Sequence, residues 1–514
     1  MVRHSPVEAA AAGLASGAVT LGVAEVVAGL LVRVVGTDGT PSPLLAVADS
    51  FVDRTPAWLK DAAIAAFGTG DKAALIVGTG VVLAALSAGL GLLARRRRGL
   101  ALAGLTLLCV VALAAVLTRP GAAPADAAPT VLGGGAGLLV LVALFPGSSA
   151  ARAPTPAPDG PGRRSVLVLG GSLAVLGVLG IVAGRVLSGA GEVVRAARRA
   201  FVVPSVAVPV AVDPAAEQGV RGQPPFRTPN AEFYRIDTAL AVPQVDPAAW
   251  RLRVHGMVRR EVEIDMADLL SRPMVEALVT LTCVSNQVGG DLAGTAVWTG
   301  LPVSELLAEA GPLPGADMVL STSADGWTAS TPLEVLTDGR DAVLAVGMNG
   351  EPLPPEHGFP ARLVVPGLYG YVSATKWVVD LEVTRFADAA AYWTTRGWAE
   401  RGPVKTASRI DVPRGRSLPA GPTTVAGVAW AQHRGISRVE VRVDDGEWLP
   451  ADLAAEPTVD AWRQWRLAWE ATPGRHTLTV RATDGTGKTQ TSAEAPPVPD
   501  GASGWHSVVV DVEG

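Results

Sequence analysis

The chain changes texture about a third of the way along. Over the first 190 residues the apolar positions do not alternate; they run on, in stretches near 10–35, 72–94, 99–118, 128–146 and 165–188. Most of these supply the ~20 residues a helix needs to cross a bilayer. The fourth is short and glycine-rich at Gly133, Gly134 and Gly135. Arg95, Arg96, Arg97 and Arg98 separate the second stretch from the third, and Arg152, Arg163 and Arg164 separate the fourth from the fifth. The 36–71 loop instead carries Asp38, Asp49, Asp53, Asp61 and Asp71. Because positive loops stay inside, this places the N-terminus in the cytoplasm, and an odd number of crossings places everything after about 190 outside. Arg195, Arg198 and Arg199 oppose this mildly and suit outer-leaflet headgroups.

Beyond 190 the pattern shortens. Residues 191–230 are rich in Pro and Val without a period and read as a linker. From 231 to 400 short strands and short helices mix. Trp250-Arg-Leu-Arg-Val-His-Gly256 alternates as a strand does, Met266–Leu270 and Pro302–Leu307 read as helices, and Met318–Ser323 and Ala361–Val365 as further strands. From 401 to 514 short strands recur between turn signals such as Asp444-Asp-Gly446 and Asp484-Gly485, which predicts a β-sandwich. The expected fold is therefore a helical transmembrane bundle (1–190), a linker (191–230), an α+β domain (231–400) and a sandwich (401–514).

Composition agrees with a partly membrane-embedded chain: 49% of the residues are hydrophobic. A net charge of −5 gives no reason to expect a nucleic-acid partner. The two cysteines are Cys109, inside an apolar stretch, and Cys283, outside them, so disulfides do not hold the fold. The six histidines, His4, His255, His357, His433, His476 and His506, all lie outside the apolar stretches. A haem in the bundle would need axial His or Met ligands, so none is expected there and the bundle reads as an anchor. Glu25 is an ionisable group inside the first stretch; it marks a function or pairs with a neighbour near an interface. Arg163-Arg-Ser-Val-Leu167 resembles a twin-arginine export signal, and reads equally as ordinary cytoplasmic charge.

Two segments carry candidate chemistry. Cys283 stands in Leu281-Thr-Cys-Val-Ser-Asn-Gln-Val-Gly-Gly290, at the end of the strand-like run 275–282. A thiolate there could hold a soft metal; a free cysteine is as readily a small buried apolar residue. The second segment runs Met348-Asn-Gly-Glu-Pro-Leu-Pro-Pro-Glu-His-Gly-Phe-Pro-Ala-Arg-Leu-Val-Val-Pro-Gly-Leu-Tyr-Gly370, then Ala374-Thr-Lys-Trp377. His357, Arg362 and Lys376 are donors among Gly and Pro, suited to a phosphorylated planar cofactor or simply scattered over a surface loop.

Together with Trp298-Thr-Gly-Leu-Pro302, these motifs resemble the sulfite oxidase family of molybdenum enzymes over roughly residues 225–514. Arg434-Gly-Ile-Ser-Arg-Val-Glu-Val441 and Trp462-Arg-Gln-Trp465 resemble that family's immunoglobulin-like dimerisation domain, so a homodimer is implied. The resemblance implies a molybdenum–molybdopterin cofactor, with Cys283 as the metal's thiolate ligand. His357, Arg362, Ala374, Thr375 and Lys376 match pterin-binding positions, and Asp325 a further pterin contact. Phe233-Tyr234-Arg235-Ile-Asp237 aligns with a cofactor-contacting stretch in which Asp237 replaces a histidine. Arg235 and Arg434 match anion-binding arginines, and Trp327 stands for the tyrosine near the metal. Val288 replaces the arginine five residues after the metal cysteine. The implied activity is two-electron oxygen-atom transfer on a small oxyanion or S-oxide at the plasma membrane, with membrane lipid around the anchor and a separate redox protein or quinone taking the electrons. The reading from another class is a non-catalytic anchored adhesion protein that binds through its sandwich.

Overall fold

The computed structural model describes residues 5–34, 37, 39–55, 71–145, 163–187, 190–239, 241–415 and 417–514. His4, Asp38, Asp61 and Arg152 lie outside them. The chain forms two compact units, 1–195 with 239–242, and 196–238 with 243–514.

The first unit is helical: α1 (Pro6–Val34), α2 (Pro43–Arg54), α3 (Asp71–Leu117), α4 (Ala127–Leu144) and α5 (Arg163–Leu187). Among the described residues three stretches are long and apolar enough to cross a membrane, Pro6–Val34, Val77–Leu117 and Pro124–Leu144; Gly171–Gly184 within α5 is a shorter apolar helix. α3 is not straight. Arg97 has φ −143° and ψ 73°, and a Cβ on Gly104 would lie 2.6 Å from Leu90 Cδ2, two positions that an unbroken helix would hold about 21 Å apart. The stretches expected at 72–94 and 99–118 are the two arms of this hairpin, with the four arginines at its tip.

α1 packs against α3, α4 and α5. It does so through small residues: Gly13 faces Gly91, Gly22 faces Gly177 and Gly29 faces Gly184, so closely that a Cβ on Gly22 would fall 2.4 Å from the Gly177 carbonyl oxygen. Small residues let helix backbones approach this closely, as they do in helix pairs of membrane proteins. Large apolar side chains such as Val77, Val81, Leu107 and Leu139 point outward. Glu25 is buried, and its Oε1 accepts the Ser42 hydroxyl at 2.6 Å, the same hydroxyl that caps α2.

The short helix α6 (Ala190–Ala200) leads into the second unit. There Arg198, expected at lipid headgroups, donates to the carbonyls of Pro352 (2.7 Å) and Leu353 (2.8 Å). The expected linker, 191–230, begins inside α6; from 201 to 238 the backbone is irregular apart from a 3-10 turn at Pro214–Ala216, yet it is pinned along its length. The Val210 amide donates to Glu276, the Gln218 amide to Gln464, and the Phe226 carbonyl accepts the buried Trp462 indole.

The α+β part contains β1 (Arg251–Gly256), β2 (Val262–Asp265), α7 (Met266–Ser271), β3 (Val275–Thr282), β4 (Ala293–Pro302), α8 (Val303–Ala310), β5 (Met318–Ser323), β6 (Thr328–Pro332), β7 (Val343–Met348), β8 (Glu351–Pro352), β9 (Arg362–Val364) and β10 (Val378–Thr384). One sheet runs β2-β1-β10-β5-β6, with β1 and β10 parallel; the other runs β3-β4-β7-β8, with β9 also on β7. Leu252, Val254, Leu301, Leu344, Leu363 and Leu381 fill the core between them.

The C-terminal part contains β11 (Ala407–Val412), β12 (Ser417–Pro419), β13 (Gly421–Trp430), β14 (Ile436–Val443), β15 (Trp448–Pro450), β16 (Asp452–Leu453), β17 (Arg463–Ala471), β18 (Gly474–Asp484) and β19 (His506–Glu513). Sheets β11-β13-β17-β16 and β12-β19-β18-β14-β15 share a core of Val425, Trp465, Val439, Val480 and Val510. That sharing makes a sandwich. Trp430 and Trp462 belong instead to the core of the α+β part, so the two parts are joined by packing.

Candidate active site

Cys283 is the first residue past β3. Its amide donates to Leu292 (3.0 Å), its carbonyl accepts the Asn286 amide (3.1 Å), and Asn286 Oδ1 accepts the Leu292 amide (2.9 Å). Gly289, at φ +78°, lies against the His506 ring, where any Cβ would collide. The loop is thus closed by its own hydrogen bonds. Cys283 is buried; burial pushes its thiol pKa up, while the Ser285 amide and hydroxyl pull it back.

His357 ends a 3-10 turn, Pro355–His357, stopped by Gly358 at φ +109°. A Cβ on Gly358 would meet Arg362 Cβ at 3.0 Å and Lys376 Cβ at 3.1 Å. Glycine is therefore required where the two basic residues, paired across a β-bridge, come together. His357 is buried; burial, then Arg362 and Lys376, push its pKa down to about 3, so the ring is neutral. Lys376 is pushed down to about 8 by burial, with Asp237 opposing; its Nζ donates to Asp237 (2.7 Å) and to the Glu356 carbonyl (3.1 Å).

Arg362 is the least compensated charge in the site. It is 5% exposed and lies 5.0 Å from the Trp298 ring centroid. Its donors reach the carbonyls of His357 (3.1 Å), Leu363 (3.3 Å) and Ala374 (3.3 Å), and among the described residues no carboxylate pairs with it. Burial pushes its pKa down to about 10. A buried guanidinium held only by carbonyls is suited to receive an anion.

The strap at 228–237 closes the site. Asn349, at φ +54°, donates to the Thr228 carbonyl (2.9 Å) and Asn230 (2.8 Å) and accepts the Val297 amide (3.0 Å). Gly294 leaves room for the Phe233 ring, which would lie 2.9 Å from a Cβ there. Phe233 meets Trp298 and His357 edge to face, at 5.7 and 5.6 Å, and stacks on Tyr234 at 5.3 Å. The Tyr234 phenol feels both the Cys283 sulfur, which raises its pKa, and Arg362, which lowers it; burial dominates and holds it protonated.

The remaining expected residues fall into two groups. Thr375 is buried, its hydroxyl on Ser321 (2.7 Å), and its carbonyl and that of Ala374 accept from Leu363 and Arg362, so they shape the backbone of the site. Arg235 is tied to Asp237 at 2.9 Å. Asp325 holds its own turn by accepting the Trp327 amide (3.1 Å), and among the described residues the Trp327 ring stacks on no other ring. Arg434 lies in the turn between β13 and β14, bonded to Asp484 (3.1 Å) and the Val404 carbonyl (2.9 Å). Trp298 and Tyr369 were not among the expected site residues, although both stand in the motifs quoted. Tyr369 is buried, and the Cys283 sulfur is among the groups that raise its pKa, to about 12, burial being the largest.

Among the described residues no three His, Cys, Asp or Glu side chains gather. A metal held by Cys283 would thus need most of its ligands from an organic group. A thiol, a buried arginine without an acid and a half-buried lysine and neutral imidazole beside it fit a molybdopterin-type group in donor chemistry.

Residues 239–393 match the model of the oxidoreductase molybdopterin binding domain. Sulfite oxidase of Gallus gallus is 30% identical over 358 residues, covering 57% of this chain and 77% of the relative. The chain belongs to the sulfite oxidase family. It is a molybdopterin-dependent oxidoreductase in that sense, and Cys283, His357, Arg362 and Lys376 all lie within the matched domain. Mitochondrial sulfite oxidase of Homo sapiens is 30% identical over 50% of this chain, and the chain spans 55% of that relative's length. Among solved structures, the sulfane dehydrogenase SoxCD of Paracoccus pantotrophus matches 62% of this chain and 92% of its own at 24% identity, with a TM-score of 0.49.

Proposed function

We propose that this protein is a membrane-anchored molybdenum-cofactor oxidoreductase that moves an oxygen atom, together with two electrons, to or from a small oxyanion or S-oxide. The observation that carries the reading is the buried, acid-free Arg362, bridged to Lys376 across Gly358 beside a neutral His357, in the matched domain that also carries Cys283.

When bound, the cofactor supplies the two-electron oxygen-atom chemistry. The chain's part is to hold and orient. Cys283 would be the metal's protein ligand; since burial holds it as a thiol, loading would release its proton. Arg362 and Lys376 would hold the anionic and polar edge of the pterin, with Ala374 and Thr375 fixing the backbone between them. Phe233 and Trp298 form an aromatic wall, and Tyr234, stacked on Phe233, stays protonated as a neutral donor. Asp237 balances Lys376 and Arg235. Asp325 and Trp327 would contact the pterin side from the β5–β6 turn.

The anchor is read as five crossings of the plasma membrane, counting both arms of α3 and extending Gly171–Gly184, with the N-terminus in the cytoplasm and the catalytic part outside. The sandwich is read as an immunoglobulin-like dimerisation domain, and electrons as passing to a separate redox protein or a quinone. The test is metal analysis of the full-length protein purified in detergent, with a substrate panel of sulfite and dimethyl sulfoxide and artificial electron carriers. Molybdenum near one per chain, and turnover abolished by Cys283→Ser with the thermal midpoint kept, is the expected result. A metal-free protein, or a Cys283→Ser variant with most of its activity, would return the chain to a binding role.

A further inference from the structure

We propose that Gln432 is a positioning residue that fixes the Cys283 end of β3, so that the C-terminal sandwich sets the direction of the sulfur. The proposal rests on reading Cys283 as the metal ligand.

β3 is the terminal strand of its sheet, so its outer edge has no strand partner. An edge left open is unstable and mobile unless covered. The cover comes from turns of the sandwich. The Thr280 amide donates to the Asp460 carbonyl (3.0 Å), and the Trp462 amide donates to the Thr280 hydroxyl (2.7 Å). The Gln432 Nε2 donates to both the Thr280 carbonyl and the Thr282 hydroxyl, each at 2.9 Å. One amide thus braces two alternate residues of the strand, the second of them adjacent to Cys283. On the inner side the Cys283 amide bonds Leu292. The end of the strand is gripped from both edges.

The orientation of the amide follows from chemistry. The Thr280 carbonyl can only accept, so Nε2 must face it. Oε1 then points away, buried and without a partner among the described residues, in a side chain 1% exposed. A glutamine that leaves its acceptor unsatisfied in order to place its donor is held for that donor. Its backbone is fixed in turn, since the next residue, His433, sits at φ +66°.

The test compares Gln432→Leu with Gln464→Leu in a full-length Cys109→Ser background, where Cys283 is the sole thiol. Gln464 is an equally buried glutamine of the sandwich that bonds Glu217 and the Pro224 carbonyl instead of β3. Maleimide labelling of Cys283 is followed in cofactor-free protein under native conditions, and the Mo(V) paramagnetic resonance spectrum in loaded protein. Gln432→Leu should label at least about 10-fold faster and shift the spectrum, because a freed strand end exposes and reorients the sulfur. Gln464→Leu should lower the thermal midpoint and leave both readouts as in the wild type. If Gln432→Leu merely loses stability, with labelling and spectrum unchanged, the positioning role is wrong. Failure of the underlying reading looks different: wild-type protein takes up no molybdenum, while the labelling comparison, which needs no metal, still decides whether Gln432 braces the strand.

Discussion

Arg362→Met separates a ligand-binding charge from a structural one by the sign of its effect. If Arg362 served the fold, removing it would leave a buried partner uncompensated and cost about 3–5 kcal/mol. Here no acid partner exists among the described residues. Holding the buried guanidinium costs the cofactor-free protein roughly 3 kcal/mol, the free energy that corresponds to lowering its pKa to about 10. Against this stand three hydrogen bonds from a charged donor to carbonyls, about 1.5 kcal/mol each because two of them are 3.3 Å long. Methionine keeps the length and the contact with Trp298. The two contributions offset to within about 2 kcal/mol, so cofactor-free Arg362→Met should unfold within about 2 kcal/mol of the wild type. Protein made in a host with molybdopterin should lose most of its molybdenum. The assay pairs denaturant unfolding of cofactor-free full-length protein in detergent with metal analysis of the loaded form. A cofactor-free variant destabilised by 3 kcal/mol or more would reveal a structural role, and a variant with full metal content would remove Arg362 from the cofactor site.

Gly358→Ala should lower stability by about 1–3 kcal/mol through its left-handed backbone, and push Arg362 and Lys376 apart, so that molybdenum content falls with it. An unchanged thermal midpoint would contradict this. Acid should destabilise the protein partly through two histidines. Burial pushes the folded pKa of His357 down to about 3 and of His506 to about 4, while both protonate near the ordinary value once unfolded. The unfolded state therefore binds more protons in this range; their contribution is complete above about pH 6.5 and is lost as pH falls toward 4 and 3. Together they add a slope of up to about 2.7 kcal/mol per pH unit. Replacing both with asparagine should flatten the pH dependence of denaturation between pH 6 and 4, and a slope like the wild type's would refute the assignment.

Much of this was legible in the sequence because the signals were local. Uninterrupted apolar runs mark helices, and Arg95–Arg98 mark where α3 turns back. Alternation marks β1, and Asp444-Asp-Gly446 marks the turn between β14 and β15. The cofactor segment was legible because Gly358, Arg362 and Lys376 are close along the chain. What could not be read were relations set by packing between distant segments. Trp298 becomes a platform because β4 lies beside the Phe233 strap, Gln432 matters because a sandwich turn meets an edge strand 150 residues earlier in the chain, and the 201–238 segment is a strap because its partners lie on β3 and β17. No period in 191–230 encodes that.

The charges also bear on which substrate the site favours. Two arginines were expected to bind an oxyanion, and each faces a carboxylate instead: Arg235 on Asp237 at 2.9 Å and Arg434 on Asp484 at 3.1 Å. Asp484 is held well below the usual carboxylate range, near 2, by hydroxyl, guanidinium and amide donors, although its burial works the other way. It therefore remains charged at any physiological pH and keeps Arg434 neutralised. Val288 stands where a third arginine is expected, partly exposed in the crevice beside the Cys283 loop. Thr282, Asn286, Ser408, Gln490 and Tyr369 share that crevice, and its lining has no charged side chain. A dianion drawn to Arg235 or Arg434 would have to displace a carboxylate to gain a full charge contact. An S-oxide needs a hydrogen-bond donor for one polar oxygen, which the protonated phenols and amides provide. Within the proposed function, we therefore expect an S-oxide to turn over without displacing Asp237 or Asp484, and an oxyanion to turn over only by displacing one of them.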